Sequence, residues 1–322
     1  MPILGDRILP QRKVWSVEPT KIPALDFDLA MTLDSGQVFH WERQGAGFLG
    51  AIGDAALFVE QRGDVLIATA ESLGVECFKQ SRLRELVGNY FALDHSLPEI
   101  CASFPEDAAM DAAKEFCRGL RILRQPKWEC LATFICSSMK QVTHIRQISK
   151  KLRQRFGQAR QIDGNLVYTF PSAETIAGSS EKELRKCALG YRAKNLLATA
   201  QRVASREVNL EKIAILSDTD LRVELCNLAG VGAKVANCVI LFAYERLRAF
   251  PIDVWIERVL RQTYFPKARK LNAGRLRTFT ERYFGDHGGY AQQYLFHHAR
   301  MSKAKTKIER KGGRFVTLSP VK

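Results

Sequence analysis

The sequence predicts an α+β protein, with an N-terminal antiparallel β-sheet domain followed by an all-helical domain. Short apolar or alternating segments separated by glycine turns fill roughly the first hundred residues and indicate strands. From about Pro105 onward, apolar residues instead recur at spacings of three and four, which is the period of a helix. The expected division is 1–105 for the sheet domain, 106–302 for the helical domain and 303–322 for a basic, flexible tail.

In the N-terminal half, turn residues delimit the predicted elements. The turn at Gly53-Asp54 separates Phe48–Ile52 from Leu57–Glu60, and this arrangement predicts a β-hairpin. The other elements expected here are strands at Asp28–Thr32 and Val65–Ala70 and a helix over about Leu83–Leu93.

In the C-terminal half, caps and glycines separate the predicted helices. Ser180 and Glu183 form a capping box at the start of one helix, and Gly190 ends it. Further helices are expected at Asp111–Leu123, Trp128–Ser138, Thr143–Phe156, Ala193–Val203, Arg275–Tyr283 and Tyr290–Ala299.

The most informative stretch is Leu216–Leu260, which predicts two helices joined by the tight turn Gly230-Val231-Gly232. Two glycines allow a sharp turn and a close approach to another surface. A helix that begins directly after such a turn directs free N–H groups and a positive dipole end outward, which favours a phosphate.

Two reactive side chains follow this turn. Lys234 is the first polar residue after it, and Asp253 stands at the N-cap position of a helix over Val254–Leu260. Taken singly, a glycine turn, a capping aspartate and a lysine are usually structural. Their combination places an amine on one helix and a carboxylate at the start of the next.

Composition narrows the class of partner. The chain has 322 residues with 49 Lys and Arg against 34 Asp and Glu, and its formal net charge is +15. This balance suits a polyanion such as nucleic acid. No stretch is long and apolar enough to span a bilayer, and Met1–Trp15 lacks the apolar centre of a signal peptide. We therefore expect an intracellular protein with no membrane partner.

The cysteine pattern argues against metal clusters. The chain has eight cysteines, and none of them forms a Cys-x-x-Cys pair. Without a secretion signal, this pattern predicts reduced thiols. It also supplies neither a zinc site nor an iron–sulfur cluster, so we expect no required cofactor and no metal held by side chains.

Together these motifs resemble the eukaryotic-type 8-oxoguanine DNA glycosylase/AP lyase family of the helix-hairpin-helix Gly-Pro-Asp superfamily. The resemblance covers about Asp26–Ala299 and implies a TBP-like sheet domain followed by a glycosylase domain. It also implies a monomer that binds double-stranded DNA containing an oxidised purine, in a bacterial cytoplasm or a nucleus. The motifs are Ser35-Gly36-Gln37-x-Phe39-x-Trp41, Phe134-Ile135-Cys136-Ser137-Ser138, Leu189-Gly190-Tyr191-Arg192-Ala193, the block from Gly230 to Asp253, and Ala291-Gln292-x-x-Leu295-Phe296.

The resemblance implies a base-flipping enzyme with two activities. Lys234 would attack C1′ of the deoxyribose and form a Schiff base, and β-elimination would then cut the strand. Asp253 would stabilise the positive charge that develops on the sugar. Its N-cap position is expected to favour the ionised carboxylate.

The resemblance also implies how the base is read. The Gly36 carbonyl would accept from the N7–H that only the oxidised guanine carries, and Gln292 would read the Watson–Crick edge. Cys238 and Phe296 would sandwich the flipped base.

Contacts to the rest of the duplex follow in the same way. Tyr191 would act as a wedge and Arg192 as a probe of the opposite strand. The turn Gly230-Val231-Gly232 would hold a phosphate, with a monovalent cation between its carbonyls and that phosphate.

Three positions depart from the family pattern. Met139 stands where the family has an asparagine, and His144 stands where it has an arginine, and these two normally bond the orphaned cytosine. Trp255 replaces a histidine that contacts phosphate. We therefore predict relaxed selectivity for the base opposite the lesion.

Two alternative functions stay open. One is a monofunctional alkylpurine DNA glycosylase of the same fold, against which the amine of Lys234 argues. The other is a non-catalytic DNA damage-binding protein, which would need neither Lys234 nor Asp253.

Overall fold

The computed structural model describes residues 19–70, 80–268 and 270–311, with side chains described up to residue 302. The N-terminal part is a five-stranded antiparallel sheet in the order β1-β5-β4-β3-β2. This agrees with the predicted class. Its elements are β1 (Thr20–Pro23), α1 (Leu29–Asp34), β2 (Glu42–Gln44), β3 (Gly47–Ile52), β4 (Ala55–Arg62), β5 (Val65–Ala70) and α2 (Gln80–Tyr90).

The predicted hairpin is present as β3 and β4, with Ile52 opposite Ala55 across the turn. The prediction of a strand at Asp28–Thr32 is wrong, because these residues cap and begin helix α1. The Asp28 carboxylate accepts from the Met31 N–H, and the buried residues Leu29 and Leu33 are one helical turn apart. A three-residue spacing between the capping carboxylate and the N–H donor therefore decides the local structure.

The C-terminal part is dominated by helices, and two short 3₁₀ helices lie at Lys212–Ile215 and Gly285–His287. The helices are α3 (Leu97–Ala102), α4 (Ala108–Phe116), α5 (Lys127–Ser137), α6 (Val142–Phe156), α7 (Ala173–Ala177), α8 (Glu181–Arg185), α9 (Arg192–Ala204), α10 (Asp218–Cys226), α11 (Ala233–Ala243), α12 (Val254–Thr263), α13 (Ala273–Tyr283) and α14 (Gly288–Lys311).

The sequence analysis predicted an all-helical domain here, but the structure also contains two strands. These strands, β6 (Ala159–Ile162) and β7 (Asn165–Tyr168), form an antiparallel hairpin. Asp163 and Gly164 turn the chain with positive φ angles of 46° and 77°. The hairpin packs Ile162 and Val167 under the N-terminal sheet, so it extends the layer formed by β3 and β4.

Two helices differ in length from the prediction. Helix α4 ends at Phe116 rather than Leu123, because Gly119 turns the chain at a φ of +79° and bonds the Asp28 N–H. Helix α14 continues to Lys311, so the first part of the predicted tail is helical. The remainder of that tail, 312–322, and the segment Met1–Trp15 lie outside the described residues.

Besides the small cluster around Ile162 and Val167, two larger hydrophobic cores hold the fold together, one under the sheet and the largest among the helices. The seven cysteines within the described ranges are free thiols, as predicted, and Cys77 lies outside those ranges. Of the helices in the described ranges, none is both long and apolar enough to cross a lipid bilayer.

A buried ion pair of the helical part lies against a histidine of the sheet part. The Arg153 guanidinium donates to the Glu129 carboxylate and to the Tyr168 carbonyl, and His40 on the sheet side lies 3.3 Å from the same carboxylate. Burial raises the pKa of Glu129 and, together with Arg153, lowers that of His40. The imidazole is therefore neutral, and Arg153 alone balances the carboxylate.

We expect Arg153→Met to lower the free energy of unfolding by about 3–5 kcal/mol, because it leaves Glu129 buried without its partner. Urea denaturation measures this loss. Arg155→Met on the same helix removes an exposed pair with Glu183 and should have a much smaller effect. The double variant Arg153→Met with Glu129→Gln should recover much of the stability. An equal loss in the double variant would contradict this account.

Candidate active site

The glycine turn between α10 and α11 is built from three residues with different environments. Gly230 has a φ of +81°, and a Cβ there would lie 2.8 Å from the Asn195 Cβ, so both conformation and space require glycine. Val231 is buried, whereas a Cβ on Gly232 would meet open space. No side chain caps the N-terminus of α11, so its first N–H groups remain available to an anion.

Lys234 lies in the first turn of α11 and is half-buried. Its Nζ lies 5.1 Å from the centre of the Phe134 ring, a cation–π distance. Phe134 is itself held by stacking on Phe242 at 5.5 Å and by an edge contact with Phe39 at 6.1 Å. The amine is therefore positioned by an aromatic cluster that includes a residue of the N-terminal motif.

Asp253 is the N-cap of α12, as predicted, and its Oδ1 accepts from the Ile256 N–H at 2.8 Å. Burial raises the pKa of this carboxyl, although the Ile256 N–H and the charge of Lys234 both act to lower it. The hydrogen bond of the cap does favour the ionised form, but desolvation by burial outweighs it. Lys234 therefore lies within electrostatic range of the Asp253 carboxyl.

Gly36 lies close against helix α14. Its φ is +90°, and a Cβ there would lie 3.1 Å from Phe296 Cε1 and 3.3 Å from Arg300 Nη1. Any side chain at this position would therefore meet both a forbidden backbone conformation and the Phe296 ring. The structure thus brings together two of the residues that the sequence assigned to the base pocket.

Side-chain amides fix the backbone on both sides of Gly36. Gln293 donates to the Ser35 carbonyl at 3.0 Å, and Gln125 donates to the Gln37 carbonyl at 2.7 Å. The buried Gln37 side chain in turn bonds four further groups, namely Thr32 O, Ser35 Oγ, Arg121 O and Leu123 N. The direction of the intervening Gly36 carbonyl is therefore set before any ligand arrives.

The other pocket residues lie on α14 and α11. Gln292 is 4% exposed, and its Oε1 has no hydrogen-bond partner among the residues that the structure describes, an expensive state for a buried acceptor. Phe296 is half-buried one turn further along α14. Cys238 is buried one turn after Lys234, and burial raises the pKa of its thiol, so it is a neutral, apolar surface.

Two loops form a second group of predicted residues. Met139, between α5 and α6, has a φ of +54° and is 92% exposed. Tyr191 is 55% exposed, and its hydroxyl lies 3.9 Å from the Met139 Sδ. His144 is exposed on the first turns of α6.

Arg192 lies differently from its predicted role as a probe. It is 5% exposed, its guanidinium lies 4.3 Å from the centre of the Tyr191 ring, and it donates to the carbonyls of Ser138 and Leu189. It therefore links the loop that carries Met139 to the start of α9 at Tyr191.

Comparison with known proteins identifies the family. Residues 20–131 match the family model of the 8-oxoguanine DNA glycosylase N-terminal domain, and residues 132–282 match that of the HhH-GPD superfamily base excision DNA repair proteins. A probable N-glycosylase/DNA lyase of Methanothermobacter thermautotrophicus is 31% identical over 307 residues, which is 88% of this chain and 96% of that protein. The chain belongs to the 8-oxoguanine DNA glycosylase/lyase family.

Two further relatives agree. The N-glycosylase/DNA lyase of Arabidopsis thaliana is 30% identical over 295 residues, covering 86% of this chain and 79% of that protein. The 8-oxoguanine glycosylase/lyase of Clostridium acetobutylicum, solved with double-stranded DNA that has cytosine opposite 8-oxoguanine, is 29% identical with a TM-score of 0.81. That match covers 90% of this chain and 98% of the solved one. The protein is thus a DNA glycosylase with lyase activity in base-excision repair.

Within this 8-oxoguanine glycosylase/lyase, sequence reasoning missed three supporting residues, Phe134, Gln125 and Gln293. Phe134 belongs to one of the family motifs, and Gln293 is adjacent to Gln292. However, no pattern in the sequence indicates that Phe134 contacts Lys234 or that Gln293 bonds the backbone beside Gly36. The predicted domain boundary at 105/106 stays a prediction, and the two family models meet at 131/132.

Within the described part of the chain, side chains offer this family member no evident metal site. In the ranges that the structure describes, no group of three or more His, Cys, Asp or Glu could hold a metal ion. A cation at the turn would therefore need main-chain oxygens. The Ala229 carbonyl already accepts from Thr199 and the Gly232 carbonyl from Ala236, so the turn oxygens left in the described chain are those of Gly230 and Val231.

Proposed function

We propose that the protein excises 8-oxoguanine from double-stranded DNA and cuts the strand through a Schiff base on Lys234. The observation that carries this proposal is the placement of Lys234. Its half-buried amine lies against the Phe134 ring, and the charge of this amine acts on the Asp253 carboxyl. Plain DNA binding would need no such pair. The proposal thereby favours an enzyme over a damage-binding protein, and a lysine mechanism over a monofunctional alkylpurine glycosylase.

The chemistry assigns one role to each group. The unprotonated Lys234 amine attacks C1′, and the electrons of the N-glycosidic bond leave with the base, which takes up a proton. The C1′–O4′ bond then breaks, the ring oxygen takes up a proton lost from the amine nitrogen and becomes the C4′ hydroxyl, and C1′=N is the Schiff base. Removal of a C2′ proton forms the C2′–C3′ double bond, and the C3′–O bond breaks as the 3′ phosphate leaves. The ionised Asp253 carboxylate stabilises the cationic sugar during the first step.

Lesion recognition would rest on two fixed acceptors. The Gly36 carbonyl is held by the amides around it and accepts the N7–H of 8-oxoguanine. The Gln292 Oε1, buried without a partner, gains a donor from the Watson–Crick edge of the flipped base. Cys238 and Phe296 supply the two apolar faces.

Recognition of the opposite base would be weak in this protein. Met139 offers no hydrogen-bond donor, and His144 is shorter than arginine. Arg192 is already committed to the Ser138 carbonyl. Tyr191 and Met139 are exposed and apolar, and they suit a wedge that fills the space left by the flipped base.

The glycine turn would anchor the DNA. The uncapped N-terminus of α11 faces a phosphate, and a monovalent cation bound by the Gly230 and Val231 carbonyls would add a second contact to it. We further propose that the protein acts as a monomer in the compartment that holds the DNA.

Single-turnover cleavage of a duplex with one 8-oxoguanine tests this function, with each of the four bases opposite the lesion in turn. Borohydride added to each reaction should trap a covalent protein–DNA product. Excision without trapping would favour a monofunctional glycosylase, and binding without excision would favour a damage-binding protein.

Restoring the family residues should restore opposite-base selectivity. We expect the double variant Met139→Asn with His144→Arg to raise the ratio of excision opposite cytosine to that opposite adenine by about tenfold or more, because a bidentate base contact contributes about 1–3 kcal/mol. The same single-turnover assay measures this ratio. A wild-type ratio already as high as that of the variant would contradict the relaxed selectivity.

A further inference from the structure

The Met139 thioether is unusually accessible. Met139 is 92% exposed. Of the other methionines that the structure describes, Met31 and Met301 are half-buried and Met110 is fully buried. The φ of +54° turns the chain out of helix α5 at this point and leaves the side chain clear of the helix surface. Hydrogen peroxide therefore reaches this sulfur more readily than the other three.

A hydrogen-bond donor already lies beside this sulfur. The Tyr191 hydroxyl is 3.9 Å from Sδ, a weak contact for a thioether. An oxygen added to Sδ would lie within reach of that hydroxyl and accept from it strongly. Because Arg192 joins the Ser138 carbonyl to the Tyr191 ring, the donor and the new acceptor cannot separate freely.

Resting on the proposed function, we propose that Met139 is a site of reversible oxidation that changes how the opposite base is read. The thioether takes one oxygen from hydrogen peroxide and becomes a sulfoxide, and the peroxide is reduced to water. The thioether presents an apolar tip to the orphaned base. The sulfoxide presents a hydrogen-bond acceptor at the same point.

The expected change follows from the chemistry of the pyrimidines. Cytosine carries an amino donor at C4, and thymine carries a carbonyl acceptor at the same position. A sulfoxide oxygen bonds the first and repels the second. Oxidation should therefore raise excision opposite cytosine relative to that opposite thymine by about three- to tenfold, the effect of one neutral hydrogen bond.

The test uses the full-length protein, treated with a low concentration of hydrogen peroxide and then with dithiothreitol to reverse thiol oxidation. Peptide mass spectrometry follows the oxygen added at Met139. Single-turnover excision of 8-oxoguanine opposite cytosine and opposite thymine gives the ratio before and after oxidation. Methionine sulfoxide reductases should return the ratio to its starting value.

Each variant is compared with its own untreated form. Met139→Leu should lose the response to peroxide, and Met301→Leu should keep the response of the wild type. Tyr191→Phe should show a smaller response, because the sulfoxide loses the donor that orients it.

Full oxidation at Met139 with an unchanged ratio would overturn the inference, and so would an equal response in Met139→Leu. The untreated ratio reports separately on the proposed function. A strong preference for cytosine before oxidation would contradict the relaxed selectivity, and the change of the ratio on oxidation would still decide the effect of the sulfoxide.

Discussion

Lys234→Gln is expected to abolish strand cleavage and borohydride trapping together, with a loss in the single-turnover rate of more than about 10³-fold. Glutamine keeps the length and polarity of the side chain but offers no nucleophilic amine. The contact between Lys234 and the Phe134 ring contributes only about 0.5–1 kcal/mol, so the variant should remain folded. Single-turnover assays on an 8-oxoguanine duplex measure the loss.

Lys182→Gln is the matched control, because this lysine lies exposed on α8, away from the glycine turn. It should cleave and trap like the wild type. Undiminished trapping by Lys234→Gln would show that another amine forms the Schiff base, and the assignment would be wrong.

Asp253→Asn is expected to lower the excision rate by about 10²- to 10⁴-fold while DNA binding is retained. Asparagine can still accept from the Ile256 N–H through its Oδ1, so the cap of α12 survives and only the charge is lost. Binding by fluorescence anisotropy and single-turnover excision separate the two effects. Equal losses of binding and excision would assign Asp253 to structure instead of catalysis.

The pH dependence of the same pair gives an independent check. Burial raises the pKa of Asp253 above the ordinary aspartate value, and the reaction needs the ionised form. Excision by the wild type should therefore fall as the pH decreases through this raised pKa, at a higher pH than for an exposed aspartate. The residual activity of Asp253→Asn should lack this acidic limb.

The pH affects the free energy of unfolding through Asp253 in the opposite direction to its effect on excision. Since the pKa is higher in the folded protein than in the unfolded chain, ionisation of Asp253 disfavours folding, and its cost grows as the pH rises through the two values. Asp253→Asn should therefore match or exceed the wild-type stability at neutral pH. The difference should vanish below the unfolded pKa.

Local signals predicted the parts of the fold that local contacts decide. The turn of the β3–β4 hairpin, the Ser180 side-chain cap of α8 and the cap at Asp253 all depend on residues within three positions of each other. The other half of the predicted capping box does not form, because the Glu183 carboxylate bonds Arg155 and Lys186. The start of α1 carried the same kind of signal, an aspartate three residues before its bonded N–H, but its apolar residues suggested a strand. The sequence Asp163-Gly164 is likewise a local turn signal for the hairpin of β6 and β7, which the sequence analysis did not predict.

Other features that the sequence analysis missed depend on residues that are distant in sequence. Arg192 is buried because the Ser138 carbonyl, 54 residues away in sequence, accepts from it. The pinning of Gly36 by Gln125 and Gln293 joins segments up to 258 residues apart. The net pKa shift of Asp253 likewise depends on the packing around it, which no spacing rule contains.

The contrast between Gly36 and Met139 bears on how this enzyme can evolve. The lesion-reading oxygen that we assign to Gly36 belongs to the main chain, where every substitution meets a φ of +90° and the Phe296 ring. Met139 is exposed, so most replacements there cost little folding energy. With the roles that we propose, mutation of Met139 can therefore readily alter which base is tolerated opposite the lesion. The identity of the excised base, in contrast, stays under strong constraint.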